Sequence, residues 1–176
     1  MVKQVRLQKR LEPYFSRLFG YAVALSRDRE AARDVFQECM VRALSARSVP
    51  EPEPAFRAWL FAILRNVWID RTRSDRRKAT MEDRSAIDLS GEPAPLDDAL
   101  VTFLSVRQAF ERLSLEHREV LALVDISGFS YEETAMTLAV PQGTVMSRVS
   151  RARRAMAALL IEGDVILLDA SREGRR

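Results

Sequence analysis

Side chains that can bind a ligand are concentrated between residues 142 and 154, where arginines and short hydroxyl side chains alternate with apolar residues. Val145, Val149, Ala152 and Met156 recur at helical spacing and predict the inward face of one helix. The opposite face can hydrogen-bond to phosphates and base edges, which is nucleic-acid chemistry. The residues predicted to make these contacts are Gln142, Gly143, Thr144, Met146, Ser147, Arg148, Ser150, Arg151 and Arg154.

The arginines of this helix differ in their predicted roles. Arg151 can read a guanine edge through two hydrogen bonds, which carries sequence information. Arg148, Arg153 and Arg154 can neutralise phosphates, which supplies affinity without sequence information. The alternative interpretation is a solvated basic helix in a small bundle.

The residues before this helix predict how it is positioned. Ser130 and Glu133 have the spacing of a capping box, so they predict the start of a short helix, and Gly128 is predicted to end the helix before it. A tight turn with Pro141 follows. A short capped helix, a turn and a longer basic helix are the parts of a helix-turn-helix.

Other site chemistry finds little support in the sequence. Cys39 and His117 are the only cysteine and the only histidine, so a Cys/His zinc site cannot be assembled. No glycine-rich phosphate loop is present, and His117 lacks a motif-spaced nucleophile. We therefore predict no catalytic residue, no metal and no cofactor, against the alternative of a recombinase or nuclease.

Length and composition suggest two small domains rather than one large one in 176 residues. No apolar run is long enough to span a bilayer. Basic residues at the N-terminus are not followed by the apolar stretch of a secretory signal. We therefore expect a cytoplasmic protein.

Charge is distributed unevenly along the chain. Residues 1–80 hold 17 Lys/Arg and 9 Asp/Glu, whereas residues 81–100 hold 1 and 6. Residues 141–176 are basic again, with 7 and 4. This pattern suggests contact with a polyanion at both ends of the chain.

Apolar periodicity predicts an all-α protein with two small helical domains joined by a flexible acidic linker. A first helix is marked by apolar residues from Leu7 to Leu25, and Asp28 is predicted to cap a second helix that includes Cys39. Residues 48–54 contain three prolines and predict a loop. The predicted domains are residues 1–78 and 96–161, with a linker at 79–95 and a tail at 162–176.

The third helix carries an apolar stripe from Phe56 to Trp68. Trp59 and Trp68 lie on this stripe, which favours core packing over stacking on bases. The last helix is predicted to end at Gly163.

Two separated blocks resemble one known family. Residues 113–121, 128–135 and 140–154 resemble region 4 of the extracytoplasmic-function (ECF) sigma factors, a branch of the bacterial sigma-70 family. Residues 27–38 and 56–71 resemble region 2 of the same family. The resemblance covers most of the chain in the family's order.

The resemblance implies a subunit that brings RNA polymerase core to promoter DNA and has no enzymatic activity of its own. The helix-turn-helix would read the minus-thirty-five element. Asp34, Gln37 and Glu38 would dock on the clamp helices of the largest polymerase subunit, while region 4 would meet the flap of the second-largest subunit. An anti-sigma factor is also implied as a partner.

The resemblance further implies that the loop at residues 46–54 captures an unstacked base of the minus-ten element. Its prolines would limit the entropy lost on ordering. The residues implied in minus-ten binding are Arg47, Ser48, Arg65, Asn66, Arg71 and Arg73.

Some positions depart from the family pattern or remain open. Ala139 stands where glycine is common, and Met146 stands where a basic residue is common. Linker acids can imitate the charge of a transcript or serve as a soluble tether; they are Glu82, Asp83, Asp88, Glu92, Asp97 and Asp98. The apolar run 165–168 can dock on region 4, on an anti-sigma factor or on nothing.

The strongest competing interpretation is a helix-turn-helix regulator that binds DNA without being a polymerase subunit. That interpretation accounts for residues 96–160 only. It leaves the region-2-like half of the chain without a role.

Overall fold

The computed structural model describes the backbone of residues 2–78 and 98–173 and the side chains of residues 5–74 and 102–162. Within these ranges every regular element is helical, which confirms the all-α prediction. The helices are α1 (Val2–Leu11), α2 (Phe15–Ser26), α3 (Arg29–Leu44), α4 (Glu53–Lys78), α5 (Asp98–Arg112), α6 (Leu115–Leu121), α7 (Tyr131–Leu138) and α8 (Gln142–Glu173). The predicted linker, residues 79–95, and the side chains of the tail and of the linker acids lie outside the described residues.

Two expected helix boundaries were wrong. The predicted first helix is two helices, α1 and α2, because a 3-10 turn at Glu12–Tyr14 with Pro13 in it separates them. Gly163 does not end the last helix, since α8 continues to Glu173. A single glycine lowers helix propensity by only about 1 kcal/mol, which its neighbours can offset.

Helix ends otherwise follow from local chemistry. Asp28 caps α3 as predicted, with its Oδ1 accepting a hydrogen bond of 2.7 Å from the Ala31 backbone N–H. Arg27 ends α2 in a left-handed conformation, with φ 60°. A π-helical turn at Ala122–Ile126 follows α6, and Gly128, with φ 69°, stops it as predicted.

The N-terminal helices pack around a core from α2, α3 and α4, in which Leu18, Val35, Cys39 and Leu64 are fully or almost fully buried. The C-terminal helices bury Val120, Leu123, Val145, Val149 and Ala152. Trp59 and Trp68 are partly buried and pack against the core, which confirms the interpretation favoured from the sequence.

The two helical units are in contact. Helices α2 and α4 pack against α6 and α7, and the ring centroids of Phe61 and Phe129 lie 4.6 Å apart across this junction. The Arg118 guanidinium is buried there and donates from Nε to the Ala24 carbonyl oxygen at 3.0 Å. Burial lowers the pKa of Arg118 below its usual range. The junction thus combines apolar and polar contacts.

Candidate nucleic-acid interface

The predicted capping box is present at the start of α7. Ser130 Oγ accepts a hydrogen bond from the Glu133 N–H at 3.1 Å, and Glu133 Oε2 accepts one from the Ser130 N–H at 2.8 Å. These bonds satisfy two backbone donors that a helix start leaves free. They fix the first residue of α7 and help to fix the position of the turn at the end of this helix.

The turn between α7 and α8 has the backbone conformation that alanine disfavours. Ala139 adopts φ 54° and ψ 48°, and its N–H bonds to the Ala135 carbonyl. A left-handed alanine costs about 1 kcal/mol relative to glycine. The fold keeps this geometry despite the cost, so α8 leaves the turn in the orientation of a helix-turn-helix.

Helix α8 presents the predicted contact residues on its outer face. Val145, Val149 and Ala152 are buried, so the helix has the predicted orientation. Thr144 and Arg148 are half-buried, and Ser147 Oγ donates to the Thr144 carbonyl at 2.9 Å. The exposed contact residues are Gln142, Gly143, Met146, Ser147, Ser150, Arg151 and Arg154.

The arginines of α8 divide into engaged and available groups. Arg148 pairs with Glu116 at 2.7 Å, and Arg153 pairs with Asp125 at 2.6 Å. Among the described side chains, none hydrogen-bonds or ion-pairs with the guanidinium of Arg151 or Arg154. Arg151 and Arg154 can therefore bind an external anion directly, whereas Arg148 and Arg153 must first break their ion pairs with Glu116 and Asp125.

The predicted minus-ten residues lie along α4 and in the loop before it. Arg47, Ser48, Asn66 and Arg73 are exposed. Arg71 is also exposed, but its Nη1 lies 3.1 Å from Asp34 Oδ2 on α3. Arg47 and Ser48 thus lie in the loop, whereas the other members of the set lie on α4.

Arg65 is the member of this set that reaches the other helical unit. Its Nε lies 2.7 Å from Glu119 Oε1 on α6, and Glu119 is buried. The Tyr21 hydroxyl also faces Glu119 Oε1, at 3.4 Å. Arg65 cannot bind a DNA strand in this arrangement without giving up Glu119.

The predicted polymerase-docking residues lie on α3. Asp34 and Gln37 are exposed, and Glu38 is half-buried. Glu38 pairs with Arg42 one helical turn away, at 2.8 Å, and Arg42 also reaches Asp70 at 3.1 Å. The three residues share the polar side of α3, as the sequence predicts.

Sequence reasoning missed Arg57 as a link between the two units. Arg57 Nε donates to Glu133 Oε1 at 3.0 Å, its Nη2 contacts Glu133 Oε2, and its guanidinium lies 4.4 Å from the centre of the Phe129 ring. Burial alone would raise the pKa of Glu133, but the bonds from Arg57 and Ser130 outweigh it and hold that pKa below its usual value. No local pattern predicts this pair, because its members are far apart in sequence.

Cys39 is buried in the apolar stripe of α3, as predicted. Burial raises the pKa of its thiol to about 12. Among the described residues, no group of His, Cys, Asp and Glu can hold a metal ion. None of the helices within the described part of the chain is long and apolar enough to cross a membrane.

The structure thus combines a helix-turn-helix that has an exposed basic face with a second helical unit that carries exposed arginines, an arrangement typical of nucleic-acid-binding proteins. Residues 11–78 match the family Sigma-70 region 2, and residues 103–156 match Sigma-70, region 4. The chain belongs to the ECF family of RNA polymerase sigma factors, as the sequence predicts.

Relatives that match 81% and 82% of this chain agree with this assignment. The chain is 39% identical to the ECF RNA polymerase sigma factor EcfG of Rhodopseudomonas palustris, covering 81% of this chain and 78% of that protein. It is 36% identical to the ECF RNA polymerase sigma factor SigL of Mycobacterium tuberculosis, covering 82% and 83%.

Solved structures of sigma factors share the fold. The sigma factor RpoE of Bartonella quintana, solved with the anti-sigma factor NepR, is similar with a TM-score of 0.72 at 31% identity, covering 87% of this chain and 95% of that one. CnrH, solved with the cytosolic domain of CnrY, gives a TM-score of 0.66 at 26% identity, covering 90% of each chain.

Proposed function

We propose that this sigma factor directs RNA polymerase core to promoters with two elements and has no enzymatic activity of its own. The outer face of α8 binds the minus-thirty-five element, with Arg151 reading a guanine edge and Arg154 neutralising a phosphate. The observation that carries this proposal is the exposed pair Arg151 and Arg154, held by the capping box and the Ala139 turn on a helix of the correct orientation.

The N-terminal unit binds the minus-ten element in this proposal. Arg47 and Ser48 of the loop contact the unstacked base, and Asn66, Arg71 and Arg73 hold the strand beyond it. Arg65 joins them after it releases Glu119. The unit covers residues 1–78, the linker residues 79–95, and the C-terminal unit residues 96–161, with the tail after it.

The partners follow from the exposed polar residues of α3 and from the relatives. Asp34, Gln37 and Glu38 dock on the clamp helices of the largest polymerase subunit, and the C-terminal unit meets the flap of the second-largest subunit. An anti-sigma factor holds the protein inactive, a proposal supported by the RpoE–NepR complex. The protein acts in the cytoplasm, on the nucleoid, because its template is there.

In vitro transcription with purified core tests the proposal. Core with this protein should start at one defined site on a genomic fragment that core alone ignores. The matched control is the same fragment with its upstream element scrambled, which should lose most of the product. Failure of the pure protein to bind core, or equal transcription from both templates, would contradict the proposal.

A further inference from the structure

The loop between α3 and α4, residues 45–52, is fastened to α1 by side chains whose function the sequence did not reveal. Arg10 of α1 donates from Nη1 to the Pro50 carbonyl at 2.8 Å and from Nη2 to the Glu51 carbonyl at 2.7 Å. The same guanidinium pairs with Glu53 Oε2 at 2.9 Å. Arg10 is therefore bonded to the loop and to the first residue of α4.

Tyr14 and Phe56 complete this attachment. We call the set of four residues the loop clasp: Arg10, Tyr14, Glu53 and Phe56. The Arg10 guanidinium lies 3.8 Å from the centre of the buried Phe56 ring. The buried Tyr14 hydroxyl donates to Glu53 Oε1. Burial and the bond to Glu53 raise the pKa of Tyr14 to about 12, so its proton stays in place.

The loop depends on the clasp because its own sequence offers few internal hydrogen bonds. Pro50 and Pro52 have no N–H to donate, so this part of the loop cannot form a regular ladder or helix of its own. Prolines fix φ but leave ψ free to vary, and the carbonyls of Pro50 and Glu51 need donors. A single planar guanidinium supplies both donors, which a lysine ammonium does not match in geometry.

The clasp also shapes a cavity beside the loop. The cavity has a volume of about 600 Å³, and its lining consists of Arg6, Leu7, Arg10, Leu44, Ala46, Arg47, Val49, Glu51 and Glu53. Glu53 already pairs with Arg10, and the apolar side chains with the guanidinium groups of Arg6 and Arg47 suit a planar base attached to a phosphate. Arg10 therefore lines the cavity and also holds part of the loop that lines it.

We propose that Arg10 is a positioning residue that holds the loop in the shape that receives an unpaired base of the minus-ten element. The inference rests on the proposed function and adds a residue to it. A loop that is already ordered loses less conformational freedom when the base binds. Base discrimination at the captured position thus depends on Arg10, although the residue lies in another helix.

The test uses holoenzyme assembled from polymerase core and the full chain, on a duplex promoter carrying the preferred base or each of the other bases at the captured position. Open complexes are measured by the fluorescence of 2-aminopurine placed in the opened strand. Arg10→Ala should reduce opening on the preferred promoter about tenfold, the effect of losing hydrogen bonds from a charged donor. It should also bring the preferred and other bases close to equal.

The controls separate positioning from charge and from folding. Arg10→Lys keeps the charge and should not restore discrimination. Lys9→Ala removes one charge from the exposed side of the same helix, outside the cavity, and should keep discrimination. Binding to a duplex that carries only the upstream element should stay unchanged in all variants, whereas a folding defect would lower it together with opening.

Each outcome decides one question. If wild-type holoenzyme opens no promoter, the proposed function fails. If wild type opens the promoter and Arg10→Ala keeps base discrimination, or Arg10→Lys restores it, the positioning role fails. Loss of discrimination in both Arg10 variants, with upstream binding intact, supports it.

Discussion

The two surfaces proposed to bind DNA differ in how their arginines are paired. On α8, Arg151 and Arg154 are exposed and meet no acid among the described side chains. On α4, Arg65 pairs with Glu119 at 2.7 Å and Arg71 pairs with Asp34 at 3.1 Å. The surface proposed to read duplex DNA is thus open, while two arginines of the surface proposed to bind the opened strand already pair with carboxylates of the protein.

This difference suggests an order of events. Binding of the upstream element needs no rearrangement of α8, because its outer face is already exposed. Strand binding by Arg65 needs the Arg65–Glu119 pair to break, and Glu119 belongs to the other unit. In the proposed function, engagement of the minus-ten strand by Arg65 is therefore coupled to loss of this ion pair between α4 and α6.

The largest expected effect comes from removing Glu119. Glu119→Ala leaves Arg65 half-buried without its carboxylate, a cost of about 3 kcal/mol that separation of the units relieves. The free protein should show a larger radius of gyration in small-angle X-ray scattering, and it should bind a single-stranded minus-ten oligonucleotide more tightly. Glu132→Ala, which removes an exposed acid of α7, should do neither. An unchanged radius with unchanged strand binding would contradict the coupling.

The next effect is on the open surface. Arg151→Ala should weaken binding of the upstream element by about 2 kcal/mol and relax preference at one base pair, measured by fluorescence anisotropy on matched duplexes. Arg153→Ala is the control, since that guanidinium is already bound to Asp125. Equal losses in the two variants would show that α8 contributes only general charge.

A third prediction concerns pH and the Arg57–Glu133 pair. Because the pKa of Glu133 in the folded protein is held below its ordinary value, its stabilising effect is fully present above that ordinary value and is lost as the pH falls through the lowered pKa. Glu133→Gln should lower the free energy of unfolding by roughly 1.5 kcal/mol at neutral pH, the value of a hydrogen bond to a charged group. The melting temperature of the variant should also fall less steeply than that of wild type as the pH is lowered. An equally steep fall in wild type and variant would contradict this assignment.

The smallest predicted effect tests the turn of the helix-turn-helix. Ala139→Gly should raise the free energy of unfolding by about 1 kcal/mol, because glycine adopts positive φ without a clash. Binding of the upstream element should not change. Ala157→Gly, at an exposed position inside α8, should lower stability by a similar amount. Chemical denaturation measures both, and a loss of stability in Ala139→Gly would exclude a strained turn.

The sequence predicted the features that depend only on residues close together in the chain. Ser130 and Glu133 predicted the capping box from spacing alone, and Asp28 predicted the start of α3. Glycine is common in the family where Ala139 stands, and Ala139 does adopt a positive φ. Each of these depends on neighbours within a few residues, so a single sequence contains what is needed.

Long-range partners were not predictable in this way. The acids that engage Arg65, Arg148 and Arg153 lie on other helices, and charge counts do not reveal them. Phe103 and Leu104 continue the apolar pattern of α5 and yet remain exposed. Periodicity shows which face is apolar, but only tertiary packing decides whether that face is covered.

The structural roles of Arg10 and Arg57 were not predicted from the sequence. Both reach across more than one element, and each combines a carboxylate with an aromatic ring. The nearest sequence signal is an arginine close to an apolar stripe, which many surface arginines share.

The buried thiol of Cys39 gives the N-terminal unit a built-in chemical reporter. With its pKa raised to about 12 and no other cysteine in the chain, alkylation at neutral pH requires that α3 and α4 part. The rate at which Cys39 is labelled therefore reports how often the N-terminal unit opens. No engineered probe is needed, and labelling of Cys39 can be compared between the free protein and holoenzyme.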